Sequence, residues 1–291
     1  MASMQAPEVA AAVLFDDRAG AEAVAAYQRV GALIVRGLID SDWIALLRRI
    51  YDGLAASAVV PFIKGEPPPD MRKLTQRPGS WEENAEFRDF LFRSPIARAA
   101  ARCMGSKTAQ LYEDILITEP PGGRAELSWH QDEPTWPVSG RQLSSVWFSL
   151  QPVDAETGAM RFVQGAHRGP MYHPAYVPVD QAGDDARFWE GPMPVVDAES
   201  DQFTIAMTDA APGDAVIFHP RAIHSSYGSS KDHARRSFTI RFMGDDVRWL
   251  PKQRIYHRWM HDLGLKEGDK IVSPRLPIVW DAEAAGLQTQ G

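Results

Sequence analysis

The sequence predicts a mainly β protein, with a helical layer first and an antiparallel β sandwich or barrel after it. From Ala21 to Met104 apolar residues recur at helical spacing, and from Thr108 the chain breaks into short β-rich runs bounded by Gly, Pro or Asp. No internal repeat or low-complexity tract divides the chain, so the helices are expected to pack on one face of the β core as one domain.

Taken in order, Ala21 to Val30 reads as a helix ended by Gly31, and Ala32–Val35 as a short strand. Asp40 or Ser41 can cap a helix from about Trp43 to Ala56, with Ile44, Leu47, Ile50, Tyr51 and Leu54 on one face. Gly65 to Asp70, with three successive prolines, is a loop; Trp81–Phe92 and Ile96–Met104 are two more helices. This makes 1–107 the helical layer and 108–248 the β core. Strands are expected at Leu111–Ile117, Leu143–Leu150, Met160–Val163, Phe203–Met207, Ala215–Phe218 and Ser237–Phe242. Residues 171–200 form a long insertion, and 249–291 a C-terminal extension with a short helix-like piece.

The bulk numbers exclude several classes. A chain of 291 residues with 44% hydrophobic and 24% charged residues is ordinary globular composition. The net charge of -7, with no dense Lys/Arg stripe, argues against nucleic acid as the partner. The lone Cys103 rules out an intrachain disulfide or cysteine metal cluster. No basic-then-apolar leader opens the chain and no apolar run is long enough to span a membrane, so a soluble cytoplasmic protein is expected.

The chemistry gathers in three places. Ser128–Trp129–His130–Gln131–Asp132 holds a His-x-Asp; on an extended strand both side chains would point the same way. Gly213–Asp214 opens a turn and a strand that leads to His219 and His224. Eleven residues beyond His224 comes Arg235, and on a strand Arg235, Ser237, Thr239 and Arg241 share one face, with Arg236 turned to solvent. Two histidines and one carboxylate on one face of an octahedral iron leave open positions. A 2-oxoacid can chelate there through two oxygens while O2 takes the last. The far carboxylate of 2-oxoglutarate then needs a permanently charged, fork-shaped partner, which is Arg rather than Lys.

These pieces together resemble the phytanoyl-CoA dioxygenase family. The resemblance runs from Gly31–Ala32–Leu33–Ile34–Val35–Arg36–Gly37–Leu38 to the end of the chain. It rests on Trp129–His130–Gln131–Asp132, Gly158 through Gly165–Ala166–His167, Gly213–Asp214, His224–Ser225–Ser226 and Arg235–Arg236–Ser237, with Gly244–Asp245–Asp246 like a bacterial branch. It implies a double-stranded β-helix, the jelly roll or cupin-like core, with iron(II) on His130, Asp132 and His224. It also implies Arg235 on the distal carboxylate of 2-oxoglutarate, Ser226, Trp147 and Tyr112 around that cosubstrate, Ser237 as a supporting hydroxyl, and Lys73 as a further contact. A lysine that many relatives carry near Thr118 is absent here.

Other residues carry competing readings. His219 rivals His224 as a ligand, but its spacing to Arg235 is wrong, and capping the strand suits it better. His167 follows a Gly–Ala turn and reads as structural, and His173, His233, His257 and His261 as surface or satisfied core residues. Trp136 lies where the mouth of the barrel is expected and is a candidate substrate contact; Arg161 and Arg241 could bind a substrate acid or be ion-paired. The expected reaction is oxidation, foremost hydroxylation, of an unactivated C–H bond of a small metabolite or natural product, with release of succinate and CO2. Asp132 argues against halogenation, which replaces the carboxylate by a small residue. A cupin-like metal-dependent isomerase or hydrolase, and a non-catalytic 2-oxoglutarate sensor, are the alternatives. Nothing in the sequence sets an oligomeric state.

Overall fold

The computed structural model describes residues 12–14, 20–57, 75–121, 127–174, 177, 183–197, 202–228, 234–252, 260 and 263–286. The elements in chain order are β1 (Ala12–Leu14), α1 (Gly20–Val30), β2 (Ala32–Arg36), α2 (Ser41–Leu54), β3 (Thr75–Pro78), α3 (Ser80–Glu83), α4 (Ala85–Arg93) and α5 (Ile96–Met104). Then follow β4 (Thr108–Glu119), β5 (Leu127–His130), β6 (Val138–Ser139), β7 (Leu143–Ser149), β8 (Met160–Val163), β9 (Ile205–Thr208), β10 (Ala215–Phe218), β11 (His224–Ser226), β12 (Arg235–Met243), β13 (Arg248–Trp249) and β14 (Ile278–Asp281).

Local chemistry explains the helices. Asp40 caps α2 by accepting from Asp42 N at 3.0 Å and Trp43 N at 2.9 Å, and Ile44, Leu47, Ile50 and Tyr51 form its buried face. The single helix expected over Trp81–Phe92 is two, because Asn84 turns extended and caps α4 through Phe87 N at 2.8 Å. Gly105, at φ 67, ends α5 in the left-handed conformation that glycine adopts without a Cβ penalty.

Two mostly antiparallel sheets face each other as a jelly roll. The larger runs β1-β2-β10-β7-β12-β4-β14, with β3 also on β4; the smaller runs β5-β11-β8-β9. The first third of the chain is therefore not only a helical layer: β1, β2 and β3 all join the large sheet. The C-terminal extension contributes too, since β14 pairs with β4. Its expected helix-like piece lies largely outside the described residues.

Alternation along the strands splits the interior in two. Phe238, Ile240 and Phe242 of β12, Val146 and Phe148 of β7, and Leu33 and Val35 of β2 point to the helices and form the main core with Leu47, Phe87, Phe90 and Ile96. Phe238 stacks with Phe87 at 5.3 Å and with Phe148 at 5.5 Å between centroids. The opposite face meets the small sheet, and Ile34, Trp147, Val216 and Phe218 touch Met160 and Phe162 there. The Gly213–Asp214 turn ties this frame together. Asp214 accepts from Gly37 N, Arg36 and Ala211 N, and a Cβ on Gly213 would stand 2.9 Å from Ile39 O. No described helix is long and apolar enough to cross a membrane.

Candidate metal centre

His130 ends β5 and His224 opens β11, and the two are direct partners in the antiparallel ladder. Their rings consequently lie 4.1 Å apart between centroids. Asp132 does not sit on the strand as the His-x-Asp spacing suggested. Its φ of -81 and ψ of -42 are helical, and it begins the turn Glu133–Thr135. Two backbone hydrogen bonds, Asp132 N and Glu133 N to Pro220 O, bend the chain there and swing the carboxylate back. Asp132 Oδ1 then lies 3.7 Å from His130 Nε2. One ligand atom from each of His130, Asp132 and His224 falls within 4.8 Å of the others, so the three could hold one metal ion.

Hydrogen bonding sets the right nitrogen free on both rings. His130 Nδ1 is 2.8 Å from Ser128 O and His224 Nδ1 is 2.9 Å from Ala222 O. A carbonyl accepts only, so each Nδ1 carries the proton and each Nε2 keeps its lone pair for a metal. Burial, with the His130 ring beside it, pushes His224 down to about 3. Burial alone would raise Asp132, but the Arg241 guanidinium and the two histidines prevail and hold its carboxyl below the usual range. A neutral His224 and an ionised Asp132 are protonation states a divalent metal requires.

Around this centre the charges are paired. Arg241 bridges Asp132 Oδ2 at 3.1 Å and Glu113 Oε2 at 2.6 Å. Glu133 takes Arg221 through both oxygens. Gln131, between the ligands in sequence, faces away and is clamped: its amide donates to Pro170 O and Arg221 O and accepts from Tyr172 N. His219 donates from Nε2 to Arg141 O and accepts from Arg221 N, a structural role that leaves it no free lone pair.

A second polar group lines the inner face of β12. Arg235 is buried, pairs with Glu119 directly across the ladder, donates to Gly158 O, and lies over the Trp147 ring at 5.8 Å. A Cβ on Gly158 would fall 2.6 Å from the Arg235 guanidinium, so glycine is what lets the side chain pass. Arg235 Nε, Ser237 Oγ and Ser226 Oγ are buried with no hydrogen-bond partner among the described residues. Orphaned donors of this kind are costly in a dry interior and suit a polar, anionic ligand. On the other face Arg236 meets Asp52 at 3.0 Å and is partly exposed, as its position on the strand required.

Some expected residues lie elsewhere. Arg161 faces the outer side of the small sheet, between the Trp129 and Tyr227 rings with a hydrogen bond to Ser225, so the structure does not bring it to the triad. Trp136 is 2% exposed and stacks on Tyr112 at 4.6 Å, inside a core cluster with Val138, Trp249 and Met260. That stacking, beside Arg241, puts Tyr112 at the Asp132 end of β12 and away from Arg235. Arg241 is ion-paired with two carboxylates, Glu113 and Asp132. Lys73, His233, His257 and His261 lie outside the described residues. Sequence reasoning gave no role to Glu113, Glu119 or Gln131; Gln131 lies between the ligands in sequence, while only the ladder sets the two glutamates opposite the arginines of β12.

A jelly roll with two histidines and one carboxylate converging inside it defines a class of non-haem metal proteins. A family model for phytanoyl-CoA dioxygenase (PhyH) matches residues 27–237, and the chain belongs to that family. It is an iron- and 2-oxoglutarate-dependent enzyme that uses O2, which sets aside the hydrolase and sensor alternatives. Comparison of the sequence with curated proteins gives no match. Among solved structures, the epimerase SnoN in complex with Fe3+, alpha ketoglutarate and nogalamycin RO is 21% identical at TM-score 0.70, over 91% of this chain and 100% of that one. The carbocyclase SnoK from nogalamycin biosynthesis is 19% identical at TM-score 0.70, over 94% and 99%. EctD from S. alaskensis, with 2-oxoglutarate and 5-hydroxyectoine, is 17% identical at TM-score 0.62, over 91% and 92%. At these identities the likeness establishes the fold.

Proposed function

We propose that this enzyme oxidises, foremost by hydroxylation, an unactivated C–H bond of a small metabolite or natural product. In this reading His130, Asp132 and His224 hold the iron, and Arg235 with Ser237 and Ser226 receives the distal carboxylate of 2-oxoglutarate. The observation that carries it is the pairing of two features on one interior. A three-ligand cluster sits on β5, the turn after it and β11, and unpartnered donors around a buried arginine sit on β12 and β11. A hydrolytic site would have no use for the second. The iron, loaded with 2-oxoglutarate and O2, supplies the oxidising power, with succinate and CO2 as by-products.

The protein's own contribution is positional. The Ser128 and Ala222 carbonyls fix the ring tautomers, Arg235 orients the cosubstrate by a charge-assisted fork, and Phe162 and Phe218 beside His224 keep the centre dry. The test is an anaerobic visible spectrum of the protein with iron(II) and 2-oxoglutarate, followed by substrate screening for succinate release and mass analysis of the product. A metal-to-ligand charge-transfer band that weakens in Arg235→Ala, and a product gaining one oxygen atom, are the expected results. Tightly bound iron without a band would sink the cosubstrate assignment. A product of unchanged or hydrogen-depleted mass would replace hydroxylation with epimerisation or ring closure.

A further inference from the structure

We propose that Arg241 and Glu113 form a positioning pair that holds Asp132 to a single oxygen–iron bond. This rests on the assignment of Asp132 as an iron ligand and adds what that ligand is prevented from doing. A carboxylate can bind a metal through one oxygen or both. Here its two oxygens face different partners: Oδ1 is 3.7 Å from His130 Nε2, inside the ligand cluster, and Oδ2 is 3.1 Å from Arg241 Nη2.

Arg241 is itself immobilised. Its Nη1 donates to Glu113 Oε2 at 2.6 Å, and its guanidinium stands 5.3 Å over the Trp136 ring, which is stacked on Tyr112. Arg241 and Glu113 are direct partners across β12 and β4. The register slips just beyond them, leaving Tyr112 as the extra residue of a bulge. A bulge of this kind re-aims side chains, and here it seats Tyr112 under Trp136 while Glu113 still meets Arg241. All three charged side chains are largely buried, so water competes little for their hydrogen bonds.

The consequence concerns the count of open iron positions. Six positions less three protein bonds leave room for a two-oxygen chelate and O2. If Asp132 turned to bind through both oxygens, it would take one of them, and 2-oxoglutarate would have to displace it. Arg241 keeps Oδ2 occupied and so holds that position open.

The experiment compares wild type with Arg241→Met/Glu113→Gln, which removes both charges together and avoids stranding a buried carboxylate, and with Arg241→Lys. For each, iron(II) per chain, melting temperature and the dissociation constant of 2-oxoglutarate from anaerobic charge-transfer titration are measured. The double variant is expected to load one iron per chain and melt near wild type while its 2-oxoglutarate constant rises about tenfold to a hundredfold. Arg241→Lys, which can still donate to Oδ2, recovers part of that loss. A 2-oxoglutarate constant within about twofold of wild type at full iron loading overturns the proposal, as does loss of iron altogether, which would make the pair part of metal retention. Failure of wild type to bind iron strikes the ligand assignment instead, and is read separately.

Discussion

On one side of β12, Phe238, Ile240 and Phe242 lie among the rings and aliphatic chains of α2, α4, β7 and α5. On the other, Arg235, Ser237, Thr239 and Arg241 face the small sheet, and both arginines meet glutamates directly across the ladder. One strand thus serves two interiors. The helix side is satisfied by packing alone. The metal side holds buried polar atoms without partners, a state the fold tolerates because the helix side supplies the stability. Substitutions on the two sides are expected to separate stability from cosubstrate binding.

The largest effect belongs to the packed side. Phe238→Ala should cost about 3–5 kcal/mol of unfolding free energy in denaturant melts, because its ring fills the space between Phe87 and Phe148. The fraction that stays folded should bind 2-oxoglutarate as wild type does. Arg235→Ala reverses the pattern: 2-oxoglutarate affinity, by charge-transfer titration, should drop by roughly 2–5 kcal/mol. Because the change also strands Glu119, Arg235→Ala/Glu119→Gln should recover stability without recovering affinity. An equal loss of both in every variant would erase the distinction between the faces.

Asp114 tests the packed side from within, since it is a fully buried carboxylate opposite Ile240. Burial pushes it up to about 7, against the backbone hydrogen bonds from Ser80 and Trp81 that pull it down. In the unfolded chain it ionises near about 4. Between those values the folded protein keeps a proton that the unfolded chain has released, so stability falls as pH rises through the window. The difference between wild-type and Asp114→Asn stability curves should therefore change with pH by up to about 1.4 kcal/mol per unit, and flatten outside the window. The smallest effect is Ser237→Ala, which removes an unpartnered buried hydroxyl. Melting should hold or improve slightly while 2-oxoglutarate binding weakens by about 1 kcal/mol.

Much of this contrast was legible in the sequence. The period-two pattern puts Arg235, Ser237, Thr239 and Arg241 on one face of β12, and the spacing from His224 to Arg235 picks the histidine that lies in the three-residue cluster. What escaped was set by contacts distant in sequence or by turns too short to leave a pattern. β11 is three residues long, below any useful period. Asp132 reaches the cluster through a turn imposed by Pro220, not through the strand its spacing suggested. Glu119 lies 116 residues from Arg235 and reads as an ordinary polar end of a strand until the ladder sets the two side by side. Trp136 looked like a mouth residue because its neighbours in sequence carry the ligands, while its neighbours in space are Tyr112 and the C-terminal core.

Gln131 carries one more implication. Its amide fixes Pro170 and Tyr172 at the root of the long insertion, and Arg221 in the loop before His224, to the residue lying between two members of the triad. The root of the insertion is thereby tied to the segment that carries the metal ligands. Beyond Tyr172 the contact recurs: Trp189 donates from Nε1 to Pro134 O at 3.2 Å, so this stretch also leans on the turn that carries Asp132, and a substitution there reaches the metal side through that bond.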